Sequence, residues 1–270
     1  MNSGSAVKFE KVSKRFRTPK GTWYQALANL EFEVEAGQFV ALVGPTGCGK
    51  STALTLLAGL EQPSIGKVTV NGQEVHDIDT STGFVFQHDA TFPWMNVYSN
   101  IAAGPKFRKV KDHDALVKLW IAKVGLTGFE NNYPHQLSGG MKKRVALAQS
   151  LINEPSLLLM DEPFSALDVQ TRSIMTDELM GLWEQTKSTV LFVTHDLEEA
   201  IALADRVIVL TAGPAQVKAD FKIDLPRPRK ARDIRFTPEF LAIYHKIWNV
   251  LRDEVDLAYQ RQLIAPSGKK

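Results

Sequence analysis

Cysteine is nearly absent. The single one, Cys48, excludes an intrachain disulfide framework and a zinc site built from cysteines, and it fits a reducing compartment. Long hydrophobic runs are missing too: nothing approaches the roughly 18 consecutive apolar residues of a membrane span. The best candidate, residues 200–210, is interrupted by Asp205 and Arg206. Residues 1–16 mix polar, charged and apolar side chains and lack the apolar centre of a signal peptide. Charge of one sign is also scarce. With 32 Lys and Arg against 30 Asp and Glu, the net charge of +2 offers no electrostatic footprint for nucleic acid. If the chain works at a membrane, something else must hold it there.

What is present is an ordinary globular balance, 44% hydrophobic and 23% charged, long enough for one large α/β domain and an appendage. Residues 31–35 alternate at period two, as a half-exposed strand does. Residues 39–43, 157–160, 190–193 and 207–210 are continuous apolar runs, the pattern of strands buried on both faces. A second β-like block at 67–75 carries the turn signal Asn71-Gly72. Helical patterning covers 51–60, 112–152 with a break at Tyr133-Pro134, and 170–186. Such alternation predicts a mostly parallel sheet covered on both sides. Residues 225–229 read as a stiff basic linker. Beyond it, 238–257 has helical spacing in Leu241, Tyr244, Ile247, Trp248, Leu251 and Val255. The preferred reading of that tail is a helix packing its stripe on the main domain; the sharper one is a regulatory or dimer-stabilising element.

Three segments carry chemistry. Gly44, Pro45, Thr46, Gly47, Cys48, Gly49, Lys50, Ser51 and Thr52 fit G-x-x-x-x-G-K-[ST] between a buried strand and a helix. The glycines let backbone N–H groups curl around phosphate oxygens, and the helix N-terminus adds partial positive charge. Lys50 is placed to reach the β- and γ-phosphates of a nucleotide, and the Ser51 hydroxyl to ligate Mg²⁺. Cys48, a thiol at a helix N-terminus, is a candidate for a lowered pKa and chemical modification; a tolerated small residue is the plainer reading. Asp161 and Glu162 end a buried strand, where unpaired carboxylates are costly. Metal and water give them a reason: Asp161 for the Mg²⁺ shell, Glu162 to orient or deprotonate an attacking water. Ser138, Gly139 and Gly140 form a serine N-cap and glycine pair opening another helix, a second terminus ready for an anion.

The run Leu137-Ser138-Gly139-Gly140-Met141, placed between the phosphate loop and Asp161-Glu162, resembles the signature of the ABC ATPase family, Leu-Ser-Gly-Gly-Gln, with Met141 as the departure. The resemblance covers about residues 7–225. It implies an α/β fold of the P-loop ABC type: a mostly parallel sheet core, an N-terminal antiparallel β subdomain, and a helical subdomain at about 88–155. Residues 226–270 then form the linker and a C-terminal helical extension. It further implies that Phe16 stacks on adenine and that Gln87 senses Mg²⁺ and water. Ser165-Ala166-Leu167-Asp168 would link the two sites of a dimer, and His195 would contact the γ-phosphate. ATP and Mg²⁺ are the implied cofactors. The implied partners are a second copy of the chain in an ATP sandwich, integral membrane permease subunits and, indirectly, a periplasmic or lipid-anchored substrate-binding protein, with no nucleic acid. The expected location is peripheral, on the cytoplasmic face of the plasma membrane.

Within that family the chain is similar to the nitrate, sulfonate and taurine importer group. Phe92-Pro93-Trp94, the methionine-ending signature and Leu225-Pro226-Arg227-Pro228-Arg229 carry this likeness. Lys142-Lys143-Arg144 departs from the Arg-Gln-Arg often found there. Residues 96–103 would face the permease. The alternatives are an exporter motor and a non-transport scaffold for cofactor assembly.

Overall fold

The computed structural model describes residues 6–87 and 90–264, so positions 88 and 89 of the expected helical subdomain and 265–270 of the tail lie outside it. The strands are β1 (Val7–Arg17), β2 (Trp23–Val34), β3 (Phe39–Val43), β4 (Ile65–Val70), β5 (Gln73–Glu74), β6 (Thr82–Val85), β7 (Leu157–Asp161), β8 (Thr189–Val193), β9 (Arg206–Leu210) and β10 (Val217–Lys222). The helices are α1 (Lys50–Leu57), α2 (Val97–Phe107), α3 (Asp114–Lys123), α4 (Gly139–Leu151), α5 (Val169–Thr186), α6 (Leu197–Leu203), α7 (Ala231–Ile234) and α8 (Pro238–Ile264).

The strands form two sheets. One has six strands in the order β10-β9-β3-β8-β7-β6, parallel throughout except for the β10/β9 pair. The other is antiparallel, β2-β1-β4-β5, and its β4–β5 hairpin turns through Asn71 (φ 51°) and Gly72 (φ 77°). Asn and Gly accept such angles at little cost, which is why that dipeptide announced the turn.

Two hydrophobic cores flank the six-stranded sheet, and the period-two geometry of its strands divides their residues between them. Phe39, Ala41, Val43, Leu158, Met160, Val190, Phe192, Val207 and Val209 face the core that holds the helices α2 to α6 and the C-terminal segment. Val40, Leu42, Leu157, Leu159, Leu191, Val193, Ile208 and Leu210 face α1 and the antiparallel sheet. Burial on both faces explains the unbroken apolar runs.

Several elements depart from the sequence expectation. Helix α2 lies within the expected helical subdomain but outside the helical patterning read from the residues, because Gly104 and Pro105 lie inside it; its start is set by Asn96, whose side chain accepts from the Ser99 N–H at 2.8 Å. Helix α1 stops at Leu57 rather than 60, where Gly59 turns the chain at φ 73°. The basic segment 225–229 is packed into the body rather than stretched between bodies. Arg229 is 5% exposed and donates to the carbonyls of Leu225, Ile201, Ala204 and Ile223. Arg227 pairs with Asp205 at 2.7 Å and lies 4.5 Å over the Trp183 ring. Helix α8 buries Phe240, Ile247 and Leu251 in the helical-side core, whereas Leu241, Trp248 and Val255 of the expected stripe remain exposed.

Candidate functional site

The site gathers at the C-terminal edge of the parallel sheet, where the chain leaves β3, β7 and β8. After β3 the phosphate loop turns through Gly47 at φ 75° and Gly49 at φ 123°, angles that L side chains rarely adopt. A Cβ on Gly49 would lie 2.7 Å from the Ala26 carbonyl oxygen and 2.9 Å from Leu27 Cδ2, so this glycine is also required by close packing. Lys50 opens α1 and is 5% exposed. Its ammonium bends back to donate to the carbonyls of Gly44 (2.8 Å) and Pro45 (3.0 Å). A buried ammonium held by neutral carbonyls, inside a ring of backbone N–H groups, is an anion site by its electrostatics. Thr46 and Ser51 are exposed at its mouth, and Thr52 is half-buried.

Asp161 ends β7 and accepts from Ser51 Oγ at 3.0 Å. Burial, reinforced by the neighbouring Glu162 charge, pushes its carboxyl above the ordinary range, against the Ser51 hydrogen bond and Lys50. A buried carboxylate disfavoured in this way, beside a serine hydroxyl, is a hard-oxygen pair of the kind Mg²⁺ accepts while keeping most of its water. Among the described residues no group of three or more His, Cys, Asp or Glu is placed to hold an ion. Two protein oxygens nevertheless suit a cation that shares its remaining positions with phosphate and water. The residues therefore fit the group.

Glu162 adopts φ 43°, a left-handed angle uncommon for a residue with a side chain. Its N–H still bonds to the Val193 carbonyl at 2.9 Å, so the turn is fastened to β8 as it swings the carboxylate off the strand end. Oε2 of Glu162 receives His195 Nδ1 at 3.0 Å and Gln87 Nε2 at 3.4 Å. The hydrogen bond from His195 holds the Glu162 carboxyl below its ordinary value, and the same bond raises the imidazole. Ser165 Oγ donates to the Glu162 carbonyl at 3.0 Å, and Asp168 caps α5 by accepting from the N–H groups of Gln170 and Thr171.

The structure thus brings Lys50, Ser51, Gln87, Asp161, Glu162 and His195 together. It does not bring Ser138, Gly139 and Gly140 to them. The Ser138 hydroxyl accepts from Met141 N–H at 3.3 Å as the N-cap of α4, and the exposed Gly139 and half-buried Gly140 pack toward Leu167 and Thr171. Phe16 is half-buried at the rim of the second core, with the Lys14 ammonium 4.9 Å from its ring centre. Cys48 is 2% exposed, and burial raises its thiol despite Lys50 nearby, which removes the reactive-thiol expectation.

Two residues were missed by sequence reasoning. Tyr24 pairs with Phe16 across β1 and β2, and its hydroxyl donates to the Gly47 carbonyl of the phosphate loop at 3.2 Å. Strand register was the only signal for it. Lys143, read in sequence merely as part of a departure after the signature, is buried on α4 and donates to the Gln87 carbonyl at 2.7 Å. A lysine on the inward face of a helix was the available clue.

The ABC transporter family model matches residues 27–165. This chain belongs to the ABC transporter family. As a member it is an ATP-hydrolysing subunit. It is 45% identical over 251 residues, 92% of each chain, to an uncharacterized ABC transporter ATP-binding protein of Methanocaldococcus jannaschii. It is 43% identical over 232 residues, 85% of this chain and 91% of the relative, to the aliphatic sulfonates import ATP-binding protein SsuB of Bacillus cereus. Among solved structures it is similar to the ATP-binding cassette MJ0796, captured as a dimer with ADP and Pi after hydrolysis: TM-score 0.72, 30% identity, 82% of this chain and all of that one. No helix among the described residues of this ABC ATPase is long and apolar enough to cross a membrane.

Proposed function

We propose that this ABC ATPase energises a membrane importer of small anions of the sulfonate, taurine or nitrate type, working as a pair of copies that enclose two ATP molecules. One observation carries the catalytic half of this reading: both donors to Glu162, from Gln87 and His195, converge on the same oxygen, Oε2. We assign Oε1 to the attacking water. Glu162 then orients that water and accepts its proton, the role a carboxylate beside a phosphate loop is suited to. With Nδ1 donating to Glu162, His195 in its protonated form, which that bond favours, offers Nε2–H to the terminal phosphate. Lys50 and the amides of 44–52 hold the β- and γ-phosphates, Phe16 supplies a face for adenine, and Ser51, Asp161 and Gln87 are the residues that would hold Mg²⁺. When bound, Mg²⁺ supplies charge neutralisation at the phosphate oxygens.

The pair is proposed because Ser138, Gly139 and Gly140 present an anion-ready helix terminus away from the chain's own phosphate loop. A second copy facing it would supply that loop, in keeping with the dimeric cassette to which this chain is similar. The import direction and the sulfonate class rest on the likeness to SsuB. Opening and closing of the pair would be passed to permease subunits at the cytoplasmic face, with a substrate-binding protein delivering the cargo. Co-purification with a hydrophobic membrane subunit, followed by ATP-driven uptake of ethanesulfonate, taurine and nitrate into vesicles, tests the proposal. A preparation that hydrolyses ATP with magnesium but moves none of the three overturns the cargo assignment. One with no magnesium-dependent ATPase overturns the whole.

A further inference from the structure

The segment from Leu210 to Ala215 lies against the phosphate loop at three of its glycines. A Cβ on Gly44 would sit 3.2 Å from the Leu210 carbonyl oxygen, and one on Gly49 would sit 3.3 Å from the Ala215 Cβ. A Cβ on Gly213 itself would lie 3.7 Å from Cys48 Cα and 3.9 Å from the Gly47 oxygen. Backbone bonds from Ala215 to Ala26 (2.8 Å) and from Ala28 to Ala215 (3.0 Å) tie the far end of the segment to β2. The loop that holds phosphate is therefore backed by a second loop, and close packing of this kind transmits displacement rather than absorbing it.

That second loop is gripped from its other side by the last turns of α8. Glu254, 6% exposed, accepts from the Ala212 N–H at 2.8 Å and from the Lys218 ammonium at 3.0 Å. Two turns further along the same face, the Arg261 guanidinium donates to the carbonyls of Ala212 and Gly213. Between helix and phosphate loop lies a cleft of about 390 Å³, lined by Tyr24, Thr46, Cys48, Gly213, Ala258 and Arg261. The 212–213 turn bridges this cleft. A helix serving only to cover the core would not need to spend a buried carboxylate and a guanidinium on one short turn.

We infer that Glu254 and Arg261 are positioning residues for nucleotide binding, acting through the 210–215 segment on the backbone of Gly47 and Cys48. The inference rests on the reading that this loop binds ATP. It makes the C-terminal helix part of the nucleotide site without touching the reacting atoms, so its signature is in affinity and not in turnover.

The test uses the full chain with Glu254→Leu, which removes the acceptor for the Ala212 N–H, Arg261→Gln, Arg261→Lys and, as a packing control, Ile247→Val, which loosens α8 where it meets the core. Magnesium-ATP affinity, KM, kcat and the melting temperature without nucleotide are measured for each. Glu254→Leu and Arg261→Gln raise Kd and KM about five- to twentyfold with kcat within about twofold, because uniform binding is lost while the chemistry is not. Arg261→Lys, which keeps a cationic donor for the two carbonyls, stays nearer the wild type. Ile247→Val lowers the melting temperature and leaves affinity alone. Unchanged affinity in both Glu254→Leu and Arg261→Gln overturns the inference, as does an equal loss of affinity in Ile247→Val. A well-folded wild type that binds no ATP overturns the reading of the loop as well, and so separates the two failures.

Discussion

The phosphate side of this ABC ATPase and its signature segment are built from similar parts, a strand or loop running into a glycine-rich helix start, yet they stand in opposite conditions. Around the phosphate loop every charged group is already engaged within the chain: Lys50 with two carbonyls, Asp161 with Ser51, Glu162 with His195 and Gln87. At 138–140 the serine caps its own helix and the glycines carry no side chain that could satisfy a ligand. On the proposed function, the contrast is between a preorganised reaction site and a docking face that waits for a charge from outside. Helix termini attract anions through orphan N–H groups, so the second surface needs only to be bare.

The comparison is sharpened most by Glu162→Gln. Turnover should fall by about 10²- to 10⁴-fold, the range for losing a general base, while ATP binding stays near normal and dimers accumulate in the presence of ATP; sizing by light scattering alongside a phosphate-release assay reads both. Lys50→Ala removes a charge-assisted contact of about 1.5–3 kcal/mol, so ATP affinity should drop tenfold to over a hundredfold in a direct binding titration. Gly139→Asp probes the other surface. Nothing but Leu167 Cδ2, at 3.8 Å, meets a Cβ there, and an acid in the first turn of α4 favours the helix. Melting temperature should hold or rise slightly while ATPase activity disappears, because the added carboxylate repels phosphate. Mixing Gly139→Asp with Lys50→Ala chains would create pairs with one intact composite site, restoring up to roughly a quarter of the activity from two inactive proteins. No recovery would break the division of labour between the surfaces.

The smallest effect concerns Glu199 on α6, four residues after His195. Burial raises its carboxyl to about 7, opposed by the Thr194 hydroxyl at 2.6 Å and by Arg172, and assisted by the negative charge of Asp196. The ordinary value is 4.5, so the folded chain holds this proton more tightly than the unfolded one. Its contribution to stability is fully present below pH 4.5 and is lost as pH rises through about 7. Melting curves from pH 5 to 8 should slope downward in the wild type, and Glu199→Gln should flatten that slope.

Much of this was legible beforehand because it is local. The phosphate loop, the strand-end carboxylates and the Ser138 cap each declare themselves within a few residues, and the apolar runs announced a sheet buried on both faces. Helix α2 hid behind Gly104 and Pro105, whose propensities argue against a helix that tertiary packing nonetheless supports. The basic run at 225–229 looked like a linker because arginine is usually solvated. Its neighbours in space, the carbonyls of Ile201 and Ala204, lie more than twenty positions earlier in the chain.

By itself, then, the amino-acid order determined which chemistry we propose for this protein: phosphate gripping by amides and Lys50, water activation by Glu162, and a bare helix start for a second phosphate contact. Only the folded arrangement decided that both donors to Glu162 meet on one oxygen, that Tyr24 touches the phosphate loop, and that α8 reaches it through the 210–215 turn. The physical reason is range. Glycine angles, caps and strand patterns are settled by neighbours in sequence, whereas strand order and helix docking bring together residues whose proximity no local preference encodes.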